Sequence, residues 1–291
     1  MTTTATMAVS GIDDQKTAVP APATTSIRHL VALDVDGTLV DHDGNMSASV
    51  RDAARAVVDA GHEVIIATGR SLGAVLPVVE HVGLTRGYAV CSNGGVTLRL
   101  DPSLELGYEI INRETFSPRE ALTTLREKIP GARFALEDAN GNFLSTSRFQ
   151  DASFGIMAQG VDFAHLLEAQ AVRVVVNSAE ASTAEFAAAI DAAGLHGVTY
   201  AVGWSAWLDI AAAGVTKASA LEKLRASLGL DAGLTVAVGD GSNDVEMLRW
   251  AARGVAMGQA EDDVKAAANE VTASVYEDGA AAILRSLLTT D

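Results

Sequence analysis

The segment His29–Val35 has the apolar sequence HLVALDV and leads directly into Asp36-Gly37-Thr38. A continuous apolar run of this kind is typical of a strand that is buried on both faces of a parallel sheet. Glu63–Ala67 (EVIIA) and Leu234–Val238 (LTVAV) have the same character, and polar residues follow each of them. We therefore expect parallel strands whose carboxyl ends carry polar motifs at one edge of the sheet, where ligands bind in open α/β folds.

Helical patterns alternate with these runs. Ser47 is a predicted N-cap for a helix that ends at Gly61, and further helices are predicted over 217–228 and 243–252. This alternation predicts an α/β fold with a doubly wound, mostly parallel, Rossmann-like core sheet. We assign residues 27–96 and 211–291 to this core and residues 1–26, which are rich in Thr, Ala and Pro, to a disordered N-terminal tail.

The pattern changes between residues 97 and 210, where we expect an inserted α+β domain with its own sheet. Asn140-Gly141 is a hairpin turn signal, and Val172–Val176 (VRVVV) is a predicted strand. An alanine-rich helix is predicted over Thr183–Ala193, ending at Gly194, and more strand is predicted over Tyr200–Ile210. The insert therefore separates the first part of the core from the last.

Composition excludes several classes of function. The 291 residues carry a net charge of −16 without a Lys/Arg cluster, which argues against nucleic acid or an anionic membrane surface as a partner. Cys91 is the only cysteine, so an internal disulfide is impossible and a reduced cytoplasmic compartment fits. We find no export signal and no stretch that approaches the length of a transmembrane helix. The sequence leaves the oligomeric state open.

Four short motifs carry the candidate chemistry. They are Asp34-Val-Asp36-Gly-Thr, Thr68-Gly-Arg70, Lys217, and Gly239-Asp240-Gly-Ser-Asn243-Asp244. Their four carboxylates, their hydroxyl and amide donors and one ammonium group suit binding of a divalent cation and attack on a phosphate. A packed apolar core could not hold that many unpaired charges. Because Gly37 lets the backbone turn after the strand, one carboxylate of the Asp34/Asp36 pair can face a metal while the other leans aside as a proton donor.

These motifs resemble those of the haloacid dehalogenase superfamily of phosphohydrolases. DVDGTL, ATGR, the lysine of GVTK, and GDGSNDVEML occur here in that order, and the tail segment GVAMGQA is similar to that of the Cof-type branch. In that branch a cap is inserted between the second and third motifs, which is where residues 97–210 lie. Ala218 and Gln259 depart from the residues usual in the branch, and neither change removes a catalytic group.

The resemblance implies a role for each motif residue. Asp34 would be the nucleophile that forms an aspartyl-phosphate, and Asp36 would protonate the leaving alcohol and then deprotonate water. The Asp34 carboxylate, the Asp36 backbone carbonyl and Asp240 would bind Mg²⁺ as the cofactor.

The remaining motif residues would act on the phosphate group and around it. Thr68 and Asn243 would donate hydrogen bonds to phosphate oxygens, and Lys217 would supply fixed positive charge. Asp244 would hold a metal-bound water or orient Lys217.

The resemblance thus implies an Mg²⁺-dependent phosphatase of small phosphorylated metabolites, plausibly sugar phosphates. Two alternatives stay open at this point. A sugar phosphomutase of the same branch would share these residues, and a non-catalytic metabolite-binding protein could use the same fold.

Overall fold

The structure, a computed structural model, describes residues 27–147, 157–202 and 206–288. Within these ranges the strands are, in chain order, β1 (Leu30–Leu33), β2 (Glu63–Ala67), β3 (Gly87–Cys91), β4 (Val96–Leu100), β5 (Tyr108–Arg113), β6 (Arg133–Asp138), β7 (Phe143–Ser145), β8 (Gln159–Gly160), β9 (Ala171–Asn177), β10 (Val198–Val202), β11 (Trp207–Ala212), β12 (Thr235–Gly239), β13 (Arg253–Ala256) and β14 (Glu270–Val271). The predicted tail, residues 1–26, lies outside the described residues.

These strands form two sheets. The first has eight strands in the order β14-β13-β12-β1-β2-β3-β4-β5, and the second has six in the order β10-β11-β9-β6-β7-β8. In the first sheet the strands from β14 to β3 pair in parallel, whereas β3, β4 and β5 pair antiparallel. The predicted doubly wound, mostly parallel core sheet with an inserted α+β domain is confirmed.

The α-helices of the described residues are α1 (Ala48–Asp59), α2 (Leu72–Val82), α3 (Arg119–Lys128), α4 (Phe163–Glu168), α5 (Thr183–Ala193), α6 (Lys217–Ser227), α7 (Val245–Trp250), α8 (Asp262–Ala267) and α9 (Gly279–Ser286). The expected N-cap of α1 is present, because the Ser47 side chain accepts a hydrogen bond from the backbone of Val50. Helix α5 spans the predicted residues and ends at Gly194, which has left-handed geometry. No helix of the described residues is long and apolar enough to cross a membrane.

Helices cover both faces of the first sheet. Helices α1, α2 and α9 contribute to one apolar cluster, and α6, α7 and α8 to the cluster on the opposite face. All four residues of β1 are buried, which explains why its sequence is a continuous apolar run. The second sheet differs, because α3 and α5 pack on one face only. Its other face carries Glu137, and the hydrogen bond between Ser92 and Glu137 shows that this face is turned toward the first sheet.

One expectation about the insert needs correction. We expected it to begin at residue 97, but β4 and β5 belong to the first sheet, which therefore continues to Arg113. Local alternation cannot reveal this, because it identifies a strand without identifying its partner. Over Tyr200–Ile210, where we expected more strand, the structure has the two antiparallel strands β10 and β11, and residues 203–205 between them lie outside the described residues.

The single thiol provides a test of the packing of the first sheet. Cys91 ends β3 and is fully buried, and this burial, reinforced by the charge of Glu137, raises the pKa of its thiol. We expect the native protein to resist a thiol reagent such as 5,5′-dithiobis(2-nitrobenzoate) at pH 8, and the protein unfolded in guanidinium to react with one equivalent. Rapid labelling of the native protein would contradict this packing.

Candidate active site

The motif residues converge at the carboxyl ends of three neighbouring strands. Asp34 and Asp36 follow β1, Thr68 follows β2, and Asp240 follows β12. Strand β1 lies between β2 and β12 in the first sheet, and all three run parallel. Residues distant in the sequence therefore meet at one sheet edge, as the alternation of strands and helices predicted.

A buried ammonium group joins two of the motifs. Lys217 is the first residue of α6, where Thr216 and Ser219 form a capping box. Its Nζ lies 2.6 Å from Asp34 Oδ1 and 2.7 Å from Asp244 Oδ1, and its side chain is fully buried. Burial alone would lower the pKa of Lys217, but the carboxylates of Asp244 and Asp34 outweigh it and raise that pKa above its ordinary value. The site therefore contains a fixed positive charge.

Three carboxylates gather around this ammonium group. One oxygen from each of Asp34, Asp240 and Asp244 lies within 4.8 Å of the others. Burial, with the charge of Asp244 in addition, raises the pKa of Asp34 well above its ordinary value despite Lys217. The same two causes raise the pKa of Asp240 to about 7. The cluster thus holds more negative charge than one ammonium group offsets, and its hard oxygen donors suit a divalent cation such as Mg²⁺.

The carboxylate of Asp240 leaves no room for a side chain at Gly37 and has two side-chain neighbours. Thr38 Oγ1 and Gln259 Nε2 each lie 3.3 Å from an oxygen of Asp240, and Gln259 Nε2 also donates to the Gly37 carbonyl at 2.6 Å. Gly37 has a φ of 82°, and a Cβ atom there would lie 2.1 Å from Asp240 Oδ2. Gln259, noted as a departure from the branch pattern, therefore ties the Asp36–Thr38 turn to Asp240.

Asp244 organises its own loop. Its Oδ2 accepts hydrogen bonds from the backbone amides of Asp240 and Gly241, both at 3.0 Å, while its Oδ1 accepts from Lys217. Both oxygens of this fully buried carboxylate therefore have donors from the protein. The geometry fits the expected role in orienting Lys217.

The Asp36 side chain stands apart from the clustered carboxylates. Arg70 donates to it twice, from Nε to Oδ2 at 2.9 Å and from Nη2 to Oδ1 at 2.6 Å. The side chain of Asp36 is 52% exposed, so this pair lies at the mouth of the site. The sequence assigned no role to Arg70, although its place in the Thr68-Gly69-Arg70 motif was the available signal.

Thr68 and Asn243, the expected phosphate donors, both lie next to Gly69. Thr68 is buried, and its Oγ1 accepts from the backbone amide of Arg70 at 3.1 Å. The amide nitrogen of Asn243 donates to Asn93 Oδ1 at 2.9 Å. A Cβ atom on Gly69 would lie 3.2 Å from Asn93 Oδ1 and 3.5 Å from Asn243 Nδ2, so these side chains pack closely around the second motif.

The second sheet closes over this region. A cavity of about 80 Å³ lies between the two sheets, and its lining includes Lys217 and Asn243 from the core and Arg173 and Asp209 from the insert. Arg173 Nε donates to Asp209 Oδ1 at 2.5 Å, and this arginine is almost completely buried. Sequence reasoning missed this pair, because the register that aligns β9 with β11 is set by contacts distant in the chain.

The comparisons with known proteins agree with this geometry. A family model described as haloacid dehalogenase-like hydrolase matches residues 31–284. The pyridoxal phosphate phosphatase of Escherichia coli is 29% identical over 275 residues, which cover 89% of this chain and 98% of that protein. The phosphoglycolate phosphatase of Methanoculleus marisnigri is 28% identical over 256 residues, covering 84% and 91% respectively. The structure of a subclass IIB sugar phosphatase superposes with a TM-score of 0.75 at 25% identity, covering 89% of this chain and 98% of that one.

Replacing Lys217 tests the buried ion pairs. In Lys217→Met, Asp34 and Asp244 lose their counter-charge while buried, so we expect urea unfolding to show a loss of about 3–5 kcal/mol. Lys223→Met on the same helix is the matched control. Lys223 is 61% exposed and pairs with Glu114 at 2.7 Å, so its replacement should cost under about 1 kcal/mol. Equal losses in the two variants would contradict this assignment.

Proposed function

Since the chain is a phosphoric monoester hydrolase of the haloacid dehalogenase superfamily, in its Cof-type branch, we propose that it hydrolyses small phosphorylated metabolites in an Mg²⁺-dependent reaction through an aspartyl-phosphate on Asp34. The observation that carries the proposal is the buried Lys217, which contacts Asp34 and Asp244, two of the three clustered carboxylates. A reduced, cytoplasmic setting fits the single buried thiol, Cys91.

The metal site would use the Asp34 and Asp240 carboxylates and the backbone carbonyl of Asp36. Bound there, Mg²⁺ would supply positive charge beside the transferring phosphoryl group. The fit rests on the hard oxygen donors of Asp34 and Asp240, which lie within 4.8 Å of each other, and the raised pKa values of both groups agree with it, since they reflect negative charge that a cation would relieve. Asp244, whose oxygens already accept from Lys217 and two backbone amides, would serve the site through those contacts.

In the first half-reaction a carboxylate oxygen of Asp34 attacks the phosphorus atom. A new bond forms between that oxygen and phosphorus while the phosphorus–oxygen bond to the leaving group breaks. Asp36, in its protonated form, gives its proton to the departing oxygen, so the alcohol leaves neutral. Arg70 donates to both oxygens of the Asp36 side chain at the mouth of the site.

In the second half-reaction water attacks the phosphorus of the aspartyl-phosphate. Asp36, now a carboxylate, takes a proton from that water as the new bond forms. The bond from phosphorus to Asp34 breaks, which regenerates the Asp34 carboxylate and releases inorganic phosphate. Asp36 is then protonated again, so the cycle consumes one water molecule and one phosphomonoester.

Charge explains why the donors are needed. An anionic Asp34 that approaches a phosphate dianion is repelled by about 4 kcal/mol for each pair of unit charges 4 Å apart at an effective dielectric constant of 20. Lys217 would provide fixed positive charge against this repulsion, and Thr68 and Asn243 would donate hydrogen bonds to phosphate oxygens. The small cavity and the named relatives, which include a sugar phosphatase, favour a small metabolite such as a sugar phosphate.

Asp34→Asn tests the nucleophile, because an amide cannot form the acyl phosphate. We expect release of inorganic phosphate from a panel of sugar phosphates, nucleotides and phosphorylated cofactors to fall below detection, and EDTA to have the same effect on the wild type until Mg²⁺ is restored. Asp43→Asn, at an exposed aspartate of the following loop, is the matched control and should retain activity. Turnover that survives Asp34→Asn or EDTA would contradict the proposal, and a product that retains its phosphate would indicate a mutase.

Asp36→Asn tests the general acid. We expect kcat to fall about 10²–10⁴-fold with alkyl phosphates. The rate of aspartyl-phosphate formation should fall strongly with alkyl phosphates. It should fall much less with p-nitrophenyl phosphate, whose leaving group needs little protonation. Arg70→Gln should also lower the rate more with alkyl phosphates than with p-nitrophenyl phosphate, but by a smaller factor than Asp36→Asn. Single-turnover measurements would reveal these rates, and equal losses on both substrates would contradict the role of Asp36 as an acid.

A further inference from the structure

One turn contacts every phosphate-binding segment of the site. The turn Ser92–Gly94 follows β3, and its backbone amides reach the second motif, from Ser92 to the Arg70 carbonyl at 2.8 Å and from Asn93 to the Thr68 carbonyl at 3.0 Å. Its side chain at position 93 accepts the hydrogen bond from Asn243. The turn thus joins the motif of Thr68 to the motif of Asn243.

The same turn also packs against the segment that carries Lys217. A Cβ atom on Gly94 would lie 2.3 Å from the carbonyl oxygen of Thr216, the residue that precedes the lysine. Gly94 has a φ of 101°, so its backbone conformation also requires glycine. Any movement of the Ser92–Gly94 turn toward Thr216 would therefore displace the start of α6.

This turn adopts a conformation that its surroundings must hold. Ser92 and Asn93 have φ values of 50° and 53°, and among the described residues Asp278 is the only other non-glycine residue with positive φ. Asparagine tolerates the left-handed region, whereas serine seldom adopts it. Two consecutive residues of this kind persist only where other contacts fix them.

Such a contact comes from the insert. Ser92 Oγ donates to Glu137 Oε2 at 2.7 Å, and both residues are almost completely buried. Glu137 lies on β6, directly opposite Arg173 on β9. The hydrogen bond therefore runs from the second sheet to the turn, and Ser92 is adjacent in sequence to the residue that holds Asn243.

We propose that Asn93 is a positioning residue for the phosphate-binding amide of Asn243, and that Glu137 of the insert holds the Ser92–Gly94 turn in the conformation that this contact requires. This inference rests on the proposed function of Asn243. It assigns the insert a second task besides covering the site, because a carboxylate of the second sheet then contributes to the shape of the phosphate pocket in the first.

The probe is inorganic phosphate, titrated into the Mg²⁺-loaded enzyme by isothermal titration calorimetry. Asn93→Gly keeps the left-handed backbone but removes the acceptor, and we expect the Kd for phosphate to rise about fivefold. Asn243→Ala should raise the Kd about tenfold or more. If Asn93 acts through Asn243, then Asn93→Gly adds nothing further in the Asn243→Ala background. If the two substitutions multiply each other's effect on the Kd, or if Asn93→Gly leaves the Kd unchanged, the assignment is overturned.

The role of Glu137 is tested by two independent substitutions. Ser92→Gly retains the backbone conformation and removes the hydroxyl donor, whereas Glu137→Leu removes the acceptor without leaving a buried charge on that side chain. Both should raise the Kd for phosphate about threefold to fivefold, and Glu137→Gln, which keeps an acceptor oxygen, should restore most of the affinity. A lower melting temperature with an unchanged Kd in Ser92→Gly would show a purely structural contact and overturn the role of Glu137.

These measurements separate the inference from the proposed function. Phosphate binding by the wild type without release of phosphate from any ester would refute the hydrolase mechanism, while the series of Kd values would still decide the roles of Asn93 and Glu137. Absence of phosphate binding to the Mg²⁺-loaded wild type would overturn the roles of Asn93 and Glu137, while release of phosphate from esters would still decide the hydrolase mechanism.

Discussion

The buried contact of one ammonium group with two carboxylates is the constraint on which this site depends. Taking Lys217, Asp34 and Asp244 out of water is costly, and close geometry must compensate for that cost. The distances of 2.6 and 2.7 Å meet this requirement, and the second oxygen of Asp244 is satisfied by two backbone amides of its own loop. The same network that keeps the lysine charged therefore also fixes the start of the Asp240 loop and the orientation of Asp34.

The parallel sheet makes this network possible, because it places β1 between the strands that carry the other motifs. Helices on both faces bury β1 completely, so the polar groups emerge only at the strand ends. The second sheet has helices on one face and leaves the other for the site, where Glu137, Arg173 and Asp209 supply charge. The motif residues thus come from the first sheet and its helices, whereas the cavity beside them is lined by residues of both sheets.

The sequence predicted those features that depend on local pattern. The buried strands, the Ser47 cap and the end of α5 at Gly194 each follow from a few neighbouring residues. The places of Asp34 and Asp240 at strand ends predicted that they converge, whereas Lys217 was assigned to the site only by the family resemblance. The sequence did not predict contacts between residues that are distant in the chain and carry no periodic signal. Strand β4 looks like any amphipathic strand until its pairing with β3 is known, and nothing near Ser92 or Glu137 indicates that they share a hydrogen bond.

The position of β1 also sets an order for biosynthesis. One edge of β1 pairs with β2, which follows within the same part of the chain, whereas Leu30 on the other edge pairs with Thr235. A ribosome-bound chain therefore exposes an unpaired apolar edge at the centre of its future core until the last third has emerged. Such an edge is prone to aggregation. Contacts between residues so far apart in the chain also form slowly. The insert, made in the interval, can fold on its own sheet before Asp34 meets Lys217.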